Sequence, residues 1–384
     1  MLKFLARRLL AAGFSLLVFS FITFWAVETL IPGDFFSPFR LTLSGQEVEE
    51  LRERFGAGRP IYVRWWRWLV GFVTEGLGTT TFGRRLSADL GDVVLPTVFV
   101  FVIGLLLAYT IGQWLGKRTG WQRSWANNAL ALGGITAASL FPPFLGFLVA
   151  RLLREPLRAV SSAVITTPHN VLWPVDGWSE NSVMGWTSLI VAVSALVAGF
   201  VVAFVWRRKG WRPRVLVASV LAGGLSMGVL GGLRLLEQAA DVSLRAAPAL
   251  IAFTVLAFGE FMLIMQTGMA GVTHEDYVMT ARAKGLSERT VRDRHGARNA
   301  SLAVVARLAV SVPYLLTGLV IIEMAVAWPG IGTFLFRAID AQDIPAAIST
   351  LAVIGVITAL VRFTLDFLTF LLDPRIARPR EIAS

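Results

Sequence analysis

The stretch LPTVFVFVIGLLLAYTIGQWL, from Leu95 to Leu115, contains no charged residue and is long enough to cross a lipid bilayer as a helix. A spanning helix needs about 20 predominantly apolar residues, because each residue adds about 1.5 Å and the hydrocarbon core is about 30 Å thick. The chain therefore falls in the all-α class, as a polytopic membrane protein with about eight transmembrane helices. The other predicted spans are Leu9–Ile31, Ala126–Ala150, Gly185–Trp206, Val215–Leu235, Ala247–Thr267, Leu302–Met324 and Ile348–Leu372.

The composition supports a membrane location. Hydrophobic residues make up 55% of the chain, charged residues only 16%, and the mean hydropathy is +0.66. A soluble domain carries about 25% charged residues. The chain has no cysteine, which excludes disulfides, thiolate metal sites and cysteine nucleophiles.

The net charge of +11 is explained by the distribution of basic residues between the two sides of the membrane. With the N-terminus inside, the inside segments hold twenty Lys and Arg against six Asp and Glu. Short cytoplasmic loops are enriched in Lys and Arg in this way. We therefore expect a multi-pass protein of the bacterial inner membrane with both termini in the cytoplasm, and no nucleic-acid partner.

The motifs of common catalytic and metal sites are missing. The string nearest to a phosphate-binding loop, Gly112 to Arg118, has the wrong spacing and lacks the hydroxyl residue that follows the lysine. The three histidines, His169, His274 and His295, are far apart in sequence and show no metal-ligand spacing. We expect no enzymatic activity, no metal and no cofactor of the chain's own.

Two extramembrane segments have recognisable local patterns. In the outside loop, Gln46–Phe55 has the periodicity of a short amphipathic helix, and a second helix is predicted over Tyr62–Val73. The inside loop Gly268–Ser301 predicts two short helices. The first covers Asp276 to Lys284 with Gly285 as its C-cap, and the second is capped by Ser287 and ends near Asn299. From composition alone, this basic helix pair also fits a segment resting on anionic lipid.

Charged residues within predicted spans are costly and are often functional. Glu260 either lines an aqueous path or bonds a neighbouring helix. Arg362 and Asp366 are four residues apart and are expected to neutralise each other on one helix face. Glu323 is expected near an outer helix end, where its carboxylate reaches water. Close helix packing is predicted at the small residues Gly224, Gly228 and Gly232.

The inside loop also carries a family resemblance. Its sequence EDYVMTARAKGL, residues 275–286, resembles the EAA loop of permeases of binding-protein-dependent ATP-binding-cassette importers. HGARNA, residues 295–300, is similar to the continuation found in the dipeptide/oligopeptide/nickel branch. IPGD at 31–34, WPGIG at 328–332 and DPR at 373–375 resemble strings of that branch's B-type subunit. Members usually have six spans, so 185–235 resembles an inserted helix pair.

The resemblance implies a fold, a function and a set of partners. It divides the chain into residues 1–94, with the first span and a periplasmic loop; 95–184, with two spans; the inserted pair 185–235; and the core permease region 236–384, with the coupling loop 268–301. The expected partners are a second homologous permease, two cytoplasmic ATPases that bind the ATP, and an extracytoplasmic substrate-binding protein for di- or oligopeptides. Coupling to the ATPase is assigned by the resemblance to Asp276, Tyr277, Thr280, Ala281, Arg282, Ala283, Lys284, Gly285 and Leu286.

Two alternatives remain open from sequence. An ion-gradient-driven secondary transporter would use Glu260 or Asp366 as a proton-carrying carboxylate and would need no ATPase. A structural membrane subunit would use the added helices to dock another protein.

Overall fold

The structure is a computed structural model that describes residues 2–30, 44, 46, 58–80, 85–122, 124–164, 180–205 and 212–372. Within these residues the regular structure is helical. The helices are α1 (Leu2–Leu30), α2 (Ile61–Thr74), α3 (Leu86–Trp121), α4 (Trp125–Ser139), α5 (Pro142–Val164), α6 (Glu180–Val205), α7 (Arg212–Gly232), α8 (Leu236–Val272), α9 (Asp276–Ala283), α10 (Glu288–Thr290), a π-helix (Val291–Gly296), α11 (Ala297–Val326), α12 (Ile331–Asp340) and α13 (Ile344–Leu372).

Within the described residues every predicted apolar segment is mainly helical, which confirms the all-α membrane fold. In the described residues, four helices are long and apolar enough to cross a membrane, and up to six segments qualify if each of two bent helix pairs counts as one span. For the added pair α6 and α7, the described apolar parts are Ser182–Val191 and Leu221–Gly232. The predicted total of eight spans depends partly on residues outside the described ones and stays a prediction.

The predicted single span Ala126–Ala150 is wrong in its geometry. It consists of α4 and α5, which are bent by 109° at the break between them. Leu140 has an extended backbone, with φ −64° and ψ 137°. Pro142 contributes to the break, because a proline disfavours helix at the residue before it, here Phe141, and suits the first position of a new helix, here α5. The predicted short helix Gln46–Phe55 lies almost entirely outside the described residues, whereas α2 confirms the helix predicted over Tyr62–Val73.

The chain divides into two compact units, residues 1–94 with 329–384, and residues 95–328. In the first unit α1 packs closely on α13, and a Cβ on Gly355 would stand 2.8 Å from a ring carbon of Phe19. The indole of Trp68 donates a hydrogen bond to Ser349 Oγ at 3.2 Å. Arg64 forms a 2.8 Å ion pair with Glu28.

In the second unit the close approach of two long helices depends on glycine. Gly112, Gly116 and Gly120 lie four residues apart on α3 and face the backbone of α8. A Cβ on Gly116 would stand 2.5 Å from the carbonyl oxygen of Met262. By contrast, no atom of the described residues lies within 4 Å of a Cβ placed on Gly224, Gly228 or Gly232. The close approach predicted at these three glycines of α7 is therefore not found among the described residues, although α7 packs beside α6, whereas the glycines of α3 do face another helix closely.

Candidate coupling site

The loop after α8 forms the first predicted helix and its glycine turn. Glu275 has extended backbone before α9 begins at Asp276. Gly285 has φ +72°, in the left-handed region where glycine is unstrained. Its N–H donates to the carbonyl of Arg282 at 2.9 Å, and the N–H of Leu286 reaches back to the carbonyl of Ala281 at 3.4 Å. These bonds close the C-terminus of α9 in the way expected of a glycine C-cap.

The second predicted helix begins as expected but does not end at Asn299. The Oγ of Ser287 accepts a hydrogen bond from the N–H of Thr290 and so caps α10. The chain then continues through the π-helix directly into α11. Asn299 does not cap a helix, because its side chain donates to the hydroxyl of Tyr277 at 3.0 Å. The prediction of a separate second helix ending there is wrong.

The residues predicted to contact an ATPase fall on two faces of the loop. Ala281 is only 4% exposed and packs inward with Val278, so its side chain is not available to a docking protein. Tyr277 is half-buried. Thr280 is exposed, but its hydroxyl bonds the carbonyl of Asp276 at 2.9 Å. The exposed members of the predicted set are Asp276, Thr280, Arg282, Ala283, Lys284, Gly285 and Leu286, and Met279 is also exposed.

A polar cluster joins α9, α10 and the end of α3. The Nε of Arg282 donates to Glu288 Oε1 at 2.8 Å. The indole Nε1 of Trp121 donates to Glu288 Oε2 at 3.1 Å. The guanidinium carbon of Arg282 lies 5.4 Å from the centre of the Trp121 ring, within the range of a cation–π contact. Trp121 and Glu288 were not predicted from the sequence, because no pattern along the chain connects them.

Glu288 is held in its charged form by these donors. The hydrogen bond from Arg282 is the largest cause that lowers the pKa of Glu288 below 4.5, and the Trp121 indole acts in the same direction. The carboxylate is therefore ionised throughout the neutral pH range.

Glu260 bonds a neighbouring helix, one of its two predicted roles. Its Oε1 accepts a short hydrogen bond from the hydroxyl of Ser311 on α11. The Nε of Arg307, one turn earlier on α11, lies 3.3 Å from the same oxygen. The sequence analysis missed both partners, although their spacing of four places them on one helix face.

The other intramembrane charges have different positions. Arg362 is exposed, and the side chain of Asp366 lies outside the described residues, so their predicted pairing stays a prediction. Glu323 lies near the end of α11 as expected, but the expectation that its carboxylate reaches water is wrong. This carboxylate is fully buried and accepts a 2.7 Å hydrogen bond from Thr97. Among the described residues, no group of His, Asp and Glu is arranged to hold a metal ion.

Comparison with known proteins identifies the family. Residues 129–378 match the binding-protein-dependent transport system inner membrane component family, and residues 1–88 match the N-terminal family of the same transport systems. A glutathione transport system permease protein of Salmonella paratyphi A is 25% identical over 383 residues, covering 98% of this chain and 99% of the relative. A putative peptide permease protein of Brucella ovis is 26% identical over 395 residues, with the same coverage. The chain belongs to the binding-protein-dependent inner membrane component family, and is a multi-pass permease subunit of an ATP-binding-cassette importer.

Proposed function

We propose that this chain couples ATP hydrolysis by separate cytoplasmic ATPases to the import of small peptides, and that the exposed face of α9 and its glycine turn form the docking surface. The observation that carries the proposal is the shape of the loop. A short helix exposes most of one face, ends at a left-handed glycine, and is connected to two long helices, to α8 by a short turn and to α11 through α10 and the π-helix. Force applied to α9 reaches both helices through the covalent chain.

The remaining parts of the proposal follow from the family and from the sequence. A second homologous permease, two ATPases and an extracytoplasmic substrate-binding protein complete the transporter. The ATPases bind the ATP, because this sequence has no phosphate-binding loop. Both termini lie in the cytoplasm. Small peptides are the proposed substrates, since the relatives include a glutathione transport system permease and a putative peptide permease.

The proposed role of Glu260 is structural. The ion-gradient-driven alternative requires a carboxylate that gains and loses a proton during transport. In the structure, Glu260 is engaged by a hydroxyl and a guanidinium of α11. Both contacts tie the Glu260 side chain to α11, so the geometry of this site favours helix packing over proton carriage.

Substitution of Gly285 tests the docking surface. No atom of the described residues lies within 4 Å of a Cβ added at this position, so a side chain here would project towards whatever docks on the loop. Asp and Asn both tolerate left-handed backbone and are nearly equal in size. Gly285→Asp places a charge in the interface, which must be desolvated at a large cost, whereas Gly285→Asn adds the same bulk without the charge.

The experiment uses the complete transporter purified in mild detergent and reconstituted with its binding protein. We expect the wild-type chain to carry along an ATPase and a second permease, and to support ATP-driven uptake of glutathione or of a tri-alanine peptide. Gly285→Asp should abolish uptake, and Gly285→Asn should retain part of it. A Gly285→Asp transporter that assembles and transports at the wild-type rate would refute the docking surface. Recovery of the intact wild-type chain alone, with uptake driven by an ion gradient, would refute the importer mechanism.

A further inference from the structure

Trp121 connects the coupling loop to a membrane helix that is not its neighbour in the chain. The loop is covalently attached to α8 and α11 only. Trp121 is the last residue of the 36-residue helix α3, and it is 8% exposed. Its indole N–H reaches Glu288 on α10, which in turn holds Arg282 on α9. A continuous chain of polar contacts therefore runs from the exposed helix α9 to α3.

The end of α3 is closely packed, so the position of Trp121 is well fixed. Gly120, the residue before Trp121, lies so close to α8 that an added Cβ would overlap the carbonyl oxygen of Gln266. The Trp121 ring also packs against the π-helix. If Gly296 carried a Cβ, that atom would lie 3.0 Å from Cζ3 of Trp121. Protein interiors packed this closely transmit displacement with little compression.

Helix α9 itself has few apolar contacts. Only Val278 and Ala281 are buried along it, so hydrophobic packing fixes its position weakly. The bonds of Glu288 to Arg282 and Trp121 therefore contribute a substantial share of the restraint on its orientation. Charge-assisted hydrogen bonds of this kind are stronger and more directional than neutral ones.

We infer that Trp121 and Glu288 are positioning residues that fix the orientation of the coupling helix and carry its movement to α3. The inference rests on the proposed coupling function of the loop. Neither residue lies in the proposed docking surface on α9 and its glycine turn, so their loss should change how much transport each ATP drives more than it changes assembly. The bond is already formed in the isolated chain, which means that docking of an ATPase does not have to create it.

The test is a double-mutant cycle in the reconstituted transporter. Trp121→Phe removes the indole donor and keeps an aromatic ring. Glu288→Gln keeps the side-chain shape and removes the charge. Arg289→Gln is the control, because Arg289 is the next residue of α10, is exposed, and has no ion-pair partner among the described residues. The measured quantities are peptide transported per ATP hydrolysed, and the amount of ATPase that co-purifies with the chain.

We expect each of the two variants to lower the peptide-to-ATP ratio by about threefold to tenfold, the factor that one partly exposed charge-assisted hydrogen bond contributes. The co-purified ATPase should stay at the wild-type amount, and Arg289→Gln should behave as wild type. The double variant should resemble the more affected single variant, because both substitutions weaken the same cluster of bonds around Glu288.

Three results would overturn the inference. The first is an unchanged peptide-to-ATP ratio in Glu288→Gln. The second is a decrease of this ratio in Arg289→Gln as large as that in Glu288→Gln. The third is a double variant in which the ratio falls by the product of the two single decreases. Failure of the proposed function gives a different result, since the wild-type transporter would then show no ATP-driven uptake or Gly285→Asp would transport normally.

Discussion

Replacing Gly116 by alanine tests the helix contact on which the second unit is built. The added Cβ would stand 2.5 Å from the carbonyl oxygen of Met262 and 2.6 Å from the Cβ of Met265, whereas ordinary contacts begin near 3.4 Å. The backbones of α3 and α8 would therefore have to separate by about 1 Å. Inserting one carbon into a well-packed contact costs about 1–3 kcal/mol, and a backbone carbonyl cannot rotate away, which favours the upper part of that range.

The control is the same substitution at Gly228 on α7, where no atom of the described residues lies within 4 Å of the new Cβ. Alanine is favoured over glycine in a helix by about 0.8–1 kcal/mol, and this gain applies at both positions. Subtracting it leaves Gly116→Ala destabilised by about 2 kcal/mol, roughly a 30-fold change in the unfolding equilibrium. Gly228→Ala should be neutral or slightly stabilising.

The assay is the midpoint of unfolding of the purified chain in detergent, followed by tryptophan fluorescence. We expect Gly116→Ala to have a lower midpoint than the wild type, and Gly228→Ala to have an equal or higher one. Equal midpoints for the two variants, or a larger loss for Gly228→Ala, would refute the glycine-dependent approach of α3 to α8.

Other perturbations follow from single contacts. Glu260→Gln keeps an acceptor for Ser311 and should retain most of the ATP-driven uptake in reconstituted vesicles; complete loss would restore the proton-carrier alternative. Thr97→Val leaves the buried carboxylate of Glu323 with one donor fewer, which should lower the free energy of unfolding by about 1–3 kcal/mol, and an unchanged unfolding midpoint would contradict that. The lowered pKa of Glu288 means that its bonds contribute stability above the ordinary carboxyl pKa and lose it as the pH falls through the lowered value. Hydrogen exchange of residues 276–290, corrected for the intrinsic rate, should therefore be constant between pH 8 and 5 and increase only in stronger acid; an increase already near pH 6 would contradict the assignment.

The features that the sequence predicted well are those set by local chemistry. Long apolar runs must form helices in lipid, because every backbone polar group has to be satisfied within the segment. The turn at Gly285 was predictable for the same kind of reason, since a glycine after good helix formers favours a left-handed C-cap. The bend at Pro142 was predictable in principle. The apolar run around it, however, has the length of one continuous span, and for this reason Ala126–Ala150 was predicted to be a single helix.

The features that the sequence did not predict depend on which helices meet. The glycine pattern of α7 is as regular as that of α3, yet of these two patterns only the glycines of α3 face a neighbouring backbone closely among the described residues. The burial of Glu323 depends on its contact with Thr97, more than two hundred residues earlier in the chain. Trp121 and Glu288 are likewise brought together by tertiary packing, so neither residue stands out in the sequence.

The docking surface on α9 is tested most directly by cross-linking from this helix to the ATPase. The chain contains no cysteine, so a single introduced cysteine carrying a photoactivatable maleimide reports on one position. We expect that Ala283→Cys, on the exposed side of α9, forms a covalent adduct with the ATPase, and that Ala281→Cys, which is buried, does not. An adduct from Ala281→Cys at least as strong as that from Ala283→Cys, or no adduct with the ATPase from Ala283→Cys in an assembled transporter, would contradict the proposed docking surface.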